Sequence, residues 1–570
     1  MTESHNQRLR RARPVLALAA VAFALGAVVG SHHGSSAAST LAEQFVQAWT
    51  RGDYATMYSD LDAPSRRFTT PTAFADVYQR ALDTATADRL TVRGRAHRVS
   101  ANEIAVPVRV HTRLFGTLSL DFTIAIFETA GAEPQVRWSR SLAFPGMRPG
   151  EMLSRRTTLP RRAALLARDG SVLADSSPAS GPRAPSTETT RASPLGEAAR
   201  AVLGTVGPLP VSRRTALEAE GVPADATVGL SGLERALDAR LRGVPGGELL
   251  AGTRLLGFAR ALPSPAVRTT VSPAIQRTAV SALGAQIGGI VVLQPSSGQI
   301  LAVAGIGLEG LQPPGSTFKM ITLTGALDAK IATPHTVFPY ATHATLDGVK
   351  LSNANGEECG GSLELAFAVS CNSVFTPLGV KLGSSRLVAM AERFGFNHDP
   401  GVAGAATSTL PAASEITGEL DIGSTAIGQG QVLATPLAMA VVAATIADAG
   451  RRPTPTFSPD GSHASGATVT SAAVARTVRH LMIAVVREGT GGSAAIPGVT
   501  VAGKTGTAES PPGAPHAWFI AFAPAEAPRY AIAVIIEHGG DQGSETTGGK
   551  VAAPVAAEVL TSLLKGPGSG

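Results

Sequence analysis

The sequence predicts a multidomain α+β chain. Its 570 residues exceed what one ordinary hydrophobic core organises, so about two to four domains are expected. Helical and strand-like periodicities alternate in blocks rather than as regular strand–helix–strand units. In the last block, residues 267–570, a hairpin and three further strand-like runs stand among helices, which implies an antiparallel sheet flanked by helices. A hydrophobic content of 44% excludes wholesale disorder. The net charge of +6 is not gathered into a basic stripe interleaved with aromatics, so no nucleic-acid partner is expected.

The N-terminus, residues 1–37, reads as a cytoplasmic tail and signal anchor. Arg8, Arg10, Arg11 and Arg13 precede an apolar run from Val15 to Val29, and a basic flank stays inside. The run is short for a span, so an uncleaved anchor and a cleaved signal peptide both fit. Either way the bulk of the chain is expected outside the plasma membrane. Residues 38–150 form one small α+β domain. Leu41, Phe45, Val46 and Trp49 recur at helical spacing up to Gly52. Strand-like segments follow at 90–94, 104–110 and 118–127, and Val136-Arg137-Trp138 opens another. A helix followed by a curled antiparallel sheet resembles the NTF2-like cone. Residues 151–266 make a second module. Arg162 to Ala174 reads as strand, turn at Asp169-Gly170 and return strand, and a helix follows Gly229-Leu230-Ser231-Gly232-Leu233-Glu234 and ends near Gly243. The Ser/Pro/Thr/Ala-rich stretch 176–194 inside it is a linker or loop with little to bury.

From Val267 the character changes again. Ile275 to Leu283 is helical, and Gly289–Leu293 and Gln299–Ala304 flank the turn Pro295-Ser296-Ser297-Gly298. Gly305-Ile306-Gly307-Leu308-Glu309-Gly310 matches a dinucleotide-loop pattern. However, Pro313-Pro314 follows where a helix would have to begin, so no nucleotide is expected. In Ser316-Thr317-Phe318-Lys319, followed by a helical run, the hydroxyl and the amine share one face, with Ser316 in the first turn after Pro314-Gly315. Burial that lowers the Lys319 pKa would let it take the Ser316 proton, which activates a nucleophile. Ser370-Cys371-Asn372 follows a helix over Leu363–Val369. If extended, it points Ser370 and Asn372 the same way. Lys504-Thr505-Gly506-Thr507 follows the alternating run Val499–Gly503. On an edge strand Gly506 would admit a peptide backbone, Lys504 would meet a carboxylate, and Thr505 and Thr507 would donate. A last helix runs from about Val551 to Leu564.

Each motif alone also suits an ordinary helix cap, turn or strand end. In this order, in an exported chain, the three resemble the constellation of penicillin-binding proteins and β-lactamases. Ala426-Ile427-Gly428-Gln429-Gly430, Thr435-Pro436-Leu437-Ala438, Arg168-Asp169-Gly170 and the 229–234 run are similar to landmarks of the class B penicillin-binding proteins. Residues 356–361, Gly-Glu-Glu-Cys-Gly-Gly, resemble actinobacterial members. The resemblance implies a serine transpeptidase domain over 267–570, of β-lactamase-like fold, on a pedestal or dimerisation domain. It implies a D,D-transpeptidase acting on peptidoglycan stem peptides and acylated by β-lactams. Ser316 would attack and Lys319 would carry protons. Ser370 would relay a proton, and Asn372 would hold the substrate amide. Lys504 and Thr505 would hold the terminal carboxylate. The backbone N–H groups of Ser316 and Thr507 would form the oxyanion hole. No metal or cofactor is implied. A membrane glycosyltransferase and the cell-wall machinery are the implied partners. A D,D-carboxypeptidase or β-lactamase on the same scaffold, and a non-enzymatic penicillin sensor or scaffold, are the rival readings. Finally, Cys359 and Cys371 are the only cysteines of an exported chain, with Gly360-Gly361 and a short helix between them. A disulfide is expected, against two buried free thiols as the alternative.

Overall fold

The computed structural model describes residues 36–129, 132–177, 187–460, 466–510, 513–540 and 547–565. The expected anchor and residues 178–186 of the linker lie outside these. Among the described residues, no helix is long and apolar enough to cross a membrane. The chain divides into two compact units. Among the described residues, one comprises those in 36–158, 211–223 and 245–261, and the other those in 159–210, 224–244 and 262–565.

In the first unit, helix α1 (Ala37–Arg51) starts at Ser36, whose side chain accepts from Ser39 N–H, and stops at Gly52, where φ is +72°. Helix α2 (Pro71–Ala85) begins with Thr70 as its cap and proline at its first position. They lie with an antiparallel sheet in which β1 (Ala87–Val92) pairs with β2 (Glu103–Thr112), and β2 with β3 (Gly116–Phe127). Along β3 the buried side chains alternate, so one face is turned inward. Trp49 of α1 meets Phe122 of β3 edge-to-face at 4.9 Å inside that core. Leu153–Thr158 joins the same unit by pairing with Gly246–Ala251, about ninety residues on, which pairs in turn with Arg254–Ala259.

The second unit is built on α3 (Pro273–Leu283), β4 (Gly288–Leu293), β5 (Ile300–Gly305), α4 (Lys319–Asp328), α5 (Leu363–Ala368), α6 (Asn372–Leu382), α7 (Pro436–Ala447), α8 (Ala472–Arg487), β6 (Ala502–Ser510), β7 (Gly513–Ala523), β8 (Tyr530–Ile536) and α9 (Ala553–Leu564). The strands form one antiparallel sheet in the order β5–β4–β8–β7–β6. Every residue of β4 is buried, because both faces are covered. Val291 and Leu293 lie in a core with α4, α6 and α7. Ile290 and Val292 lie in another with α3 and α9. This is the antiparallel sheet between helices that the sequence implies, and β6 is one of its two edge strands.

A pair of short antiparallel strands, Leu165–Leu166 and Val172–Ala174, shares the first of these two cores. Beside it Arg162, fully buried, donates from Nε to Glu234 at 2.7 Å and from Nη1 to Asp238 at 2.9 Å. Arg191 donates from Nε to the other Glu234 oxygen at 2.7 Å. Four charged groups are thus taken out of water together, each with a partner of opposite sign.

Candidate active site

Gly315–Phe318 forms a 3-10 turn that runs directly into α4. Ser316 therefore stands just ahead of the α-helix rather than in its first turn, as the sequence suggests. The reason is local. The Gly315 N–H is taken by the Gly428 carbonyl at 3.0 Å, and Gly315 has a φ of +51°. A Cβ on Gly315 would lie 2.5 Å from the Thr507 carbonyl oxygen, so the turn is pressed against β6 and only glycine fits. Positions three apart eclipse in a 3-10 turn, which keeps Ser316 and Lys319 on one side. Ser316 is half-buried and Lys319 fully buried.

The second motif is not extended. Ser370 has a φ of +61°, and its N–H and that of Cys371 return to the Phe367 and Ala366 carbonyls, which closes α5. Cys371 then caps α6, in which Asn372 is the first residue. A tight corner between two helices, rather than strand alternation, aims the two side chains. Lys319 Nζ donates to the Ser370 carbonyl at 2.7 Å and to Asn372 Oδ1 at 2.7 Å, and lies 3.4 Å from Ser370 Oγ. Asn372 Nδ2 donates to the Ser352 carbonyl at 2.8 Å.

Lys504-Thr505-Gly506-Thr507 lies on the edge strand β6. Lys504 Nζ donates to Ser370 Oγ at 2.8 Å and to the Thr505 carbonyl at 2.9 Å. The Ser370 hydroxyl thus lies between two buried lysines. Burial, and then repulsion from Lys504, hold the Lys319 pKa well below the ordinary lysine range. Burial lowers that of Lys504 to about 7. Both amines rest near aromatic rings, Lys319 at 5.6 Å from the Phe375 centroid and Lys504 at 5.5 Å from that of Phe367. Gly506 has a different use from the one its sequence context suggests. Its missing side chain is matched by the chain's own atoms, since a Cβ there would lie 2.8 Å from the Pro314 carbonyl oxygen and 2.9 Å from Thr317 Cγ2. The glycine lets the nucleophile turn sit against β6.

Cys359 and Cys371 are bonded, with their Cα atoms 5.9 Å apart. Two further residues that sequence reasoning passes over hold the site together. Asn353, 6% exposed, donates from Nδ2 to the carbonyls of Ala341 and Glu357 and accepts at Oδ1 from the Ser373 N–H at 2.8 Å, bracing the corner that carries Asn372. Thr490 Oγ1 lies 2.6 Å from Thr505 Oγ1. The Gly489-Thr490-Gly491-Gly492 run just ahead of β6 was the available signal, since glycines crowd where backbones approach closely.

Comparison with known proteins finds three domain types along the chain. Residues 37–151 match the model of the NTF2-like N-terminal transpeptidase domain. Residues 184–253 match that of the penicillin-binding protein dimerisation domain, and 288–561 that of the penicillin-binding protein transpeptidase domain. Peptidoglycan D,D-transpeptidase PbpA of Mycolicibacterium smegmatis is 36% identical over 404 residues, 59% of this chain and 80% of the relative. Penicillin-binding protein A of M. tuberculosis, solved as a ceftriaxone acyl-enzyme, superposes with a TM-score of 0.55 at 29% identity, over 71% of this chain and 98% of that one. Pseudomonas aeruginosa PBP2 gives a TM-score of 0.60 at 27% identity, over 72% and 97%. With three domain types matched in order and a relative aligned over four-fifths of its own length, the chain belongs to the penicillin-binding protein transpeptidases.

Proposed function

We propose that this protein is a serine D,D-transpeptidase that cross-links peptidoglycan stem peptides and is acylated by β-lactams at Ser316. The observation that carries the reading is the hydrogen-bonded chain Lys319–Ser370–Lys504, which joins all three motifs around one hydroxyl. Lys319, its pKa lowered by burial and then by repulsion from Lys504, accepts the Ser316 proton as Oγ bonds to the carbonyl carbon between two D-alanines. The backbone N–H groups of Ser316 and Thr507 receive the oxyanion. As the C–N bond breaks, Ser370 passes a proton to the leaving D-alanine amine, and Lys319 restores it. Asn372 orients the substrate amide, while Lys504 and Thr505 hold the terminal carboxylate. A second stem-peptide amine then attacks the ester and frees Ser316. A membrane anchor in residues 1–37, a catalytic part outside the plasma membrane and a glycosyltransferase partner complete the proposal. They are supported by the arginine-flanked apolar run and by the kinship with transpeptidases.

Intact-mass analysis after penicillin treatment tests this. One adduct should appear on Ser316, persist for many minutes and follow the membrane fraction in cells. Ser316→Ala should abolish it with little change in Tm. Full labelling of that variant refutes the assignment of the nucleophile. Loss of the wild-type adduct within seconds would move the reading to a β-lactamase.

A further inference from the structure

Thr490 is the residue beside the site whose hydrogen bonding the mechanism leaves unused. It follows α8, and two other backbone segments crowd around it. Its N–H donates to the Ala368 carbonyl at 3.1 Å. A Cβ on Gly489 would lie 2.1 Å from that same oxygen, and a Cβ on Gly549 would lie 2.2 Å from the Thr490 carbonyl oxygen. The Thr490 backbone is therefore fixed, and its hydroxyl is delivered to Thr505, which is 5% exposed, at 2.6 Å.

A threonine hydroxyl has one proton and can accept as well as donate. In the pair Thr490–Thr505 either oxygen can be the donor. A carboxylate only accepts, so Thr505 can bind one only by pointing its proton outward. The 2.6 Å bond must then be made with the Thr490 proton. The other acceptor within reach of that proton is the Ala368 carbonyl, 3.4 Å away and already receiving the Thr490 N–H. The shorter contact wins, which orders the chain as Thr490 O–H to Thr505 O–H to anion.

We infer that Thr490 is a positioning residue for recognition of the substrate carboxylate, setting the direction of the Thr505 hydroxyl through the Thr490 Oγ1–Thr505 Oγ1 contact. The inference rests on the acyl-transfer reading above. Because Lys504 Nζ is already bonded to Ser370 Oγ and the Thr505 carbonyl, hydroxyl donors carry a real share of that recognition. An aligned donor is worth about five- to tenfold in affinity or rate.

The test compares benzylpenicillin with its neutral methyl ester on the full chain, reading second-order acylation of Ser316 by intact mass. Thr490→Val keeps the shape and removes the donor. It should slow acylation by the acid about five- to tenfold and change that by the ester less than about twofold. Thr490→Ser should restore the acid-over-ester preference. Thr490→Ala, which also lacks a donor, decides in the same way should the valine variant not fold. Equal losses for acid and ester, or no loss for the acid, overturn the inference while wild-type labelling leaves the acyl-transfer reading intact. Absence of wild-type labelling by benzylpenicillin itself overturns both.

Discussion

Lys504 is a fully buried amine whose hydrogen-bond partners, among the described residues, are the Ser370 hydroxyl and its neighbour's carbonyl rather than a carboxylate. Such a cation costs stability that function repays only when an anion arrives. Its folded pKa is about 7, against about 10.5 in the unfolded chain, so between those values the unfolded state holds more protons. The cost is full below pH 7, fades as pH rises and is gone near 10.5. Lys504→Met should therefore raise stability over the wild type by about 1–2 kcal/mol at pH 6 and by progressively less toward pH 10. Urea unfolding at a series of pH values checks this, and a gain that grows with pH would contradict it. The same variant bears on Lys319. Repulsion from Lys504 is the second cause of its lowered pKa, so removing that charge raises it. The acid limb of Ser316 acylation, followed with a neutral β-lactam ester, should move to higher pH. A limb that stays in place would mean the two amines are not coupled.

The corner between α5 and α6 depends on two tethers, one covalent and one through Asn353. The disulfide spans 12 residues of sequence and on the chain-entropy model stabilises by roughly 3 kcal/mol. One of its ends, Cys371, caps the helix that begins with Asn372, so its loss loosens the orientation of Asn372 as well as the fold. Replacing both cysteines by serine should lower Tm and slow penicillin acylation without abolishing it, because Asn353 still holds the Ser373 N–H. Acylation at the wild-type rate despite a lower Tm would confine the bond to stability. This corner also marks how far the sequence could be read. The pairing of the two cysteines followed from their number and the export that the N-terminus leads one to expect, and the helix ahead of the corner was read from the sequence, whereas α6 behind it was not. The conformation of Ser370 did not follow. A non-glycine residue at positive φ carries no local signature, and here the backbone is held by bonds to Phe367 and Ala366 and by Lys319 from another helix. Gly506 was read as room for a bound peptide backbone, whereas the close approach in the structure is by this chain's own backbone. Which backbone approaches it, the Pro314 carbonyl, depends on contact between segments almost two hundred residues apart.

At the scale of the whole chain, apolar packing separates into a core of residues 38–144 with Leu249 and two cores that share the large sheet. The sheet order was legible only in part. The hairpin β4–β5 and the runs β6 to β8 stand out by alternation and burial, whereas the insertion of β4 beside β8 is a long-range choice that periodicity does not encode. The interleaving of the middle segments between the two compact units was likewise hidden, since strands Leu153–Thr158 and Gly246–Ala251 are paired across a stretch that folds elsewhere. That stretch contains the Arg162–Glu234–Arg191 cluster, whose apolar surroundings, Leu165, Leu173, Leu233 and Leu241, are continuous with the core under α4. A buried carboxylate accepting from two arginines cannot be removed cheaply, because each arginine would keep its desolvation cost without its partner. Glu234→Gln should destabilise the second unit by about 3–5 kcal/mol. With separate cores, thermal unfolding followed by calorimetry should show two transitions. Penicillin, bound covalently at Ser316, should raise only one of them. Glu234→Gln should lower that same transition and leave the other in place. If the substitution instead lowers the transition that penicillin does not move, the charged cluster belongs energetically to the first unit. A single transition that shifts as a whole would mean that the two units unfold together.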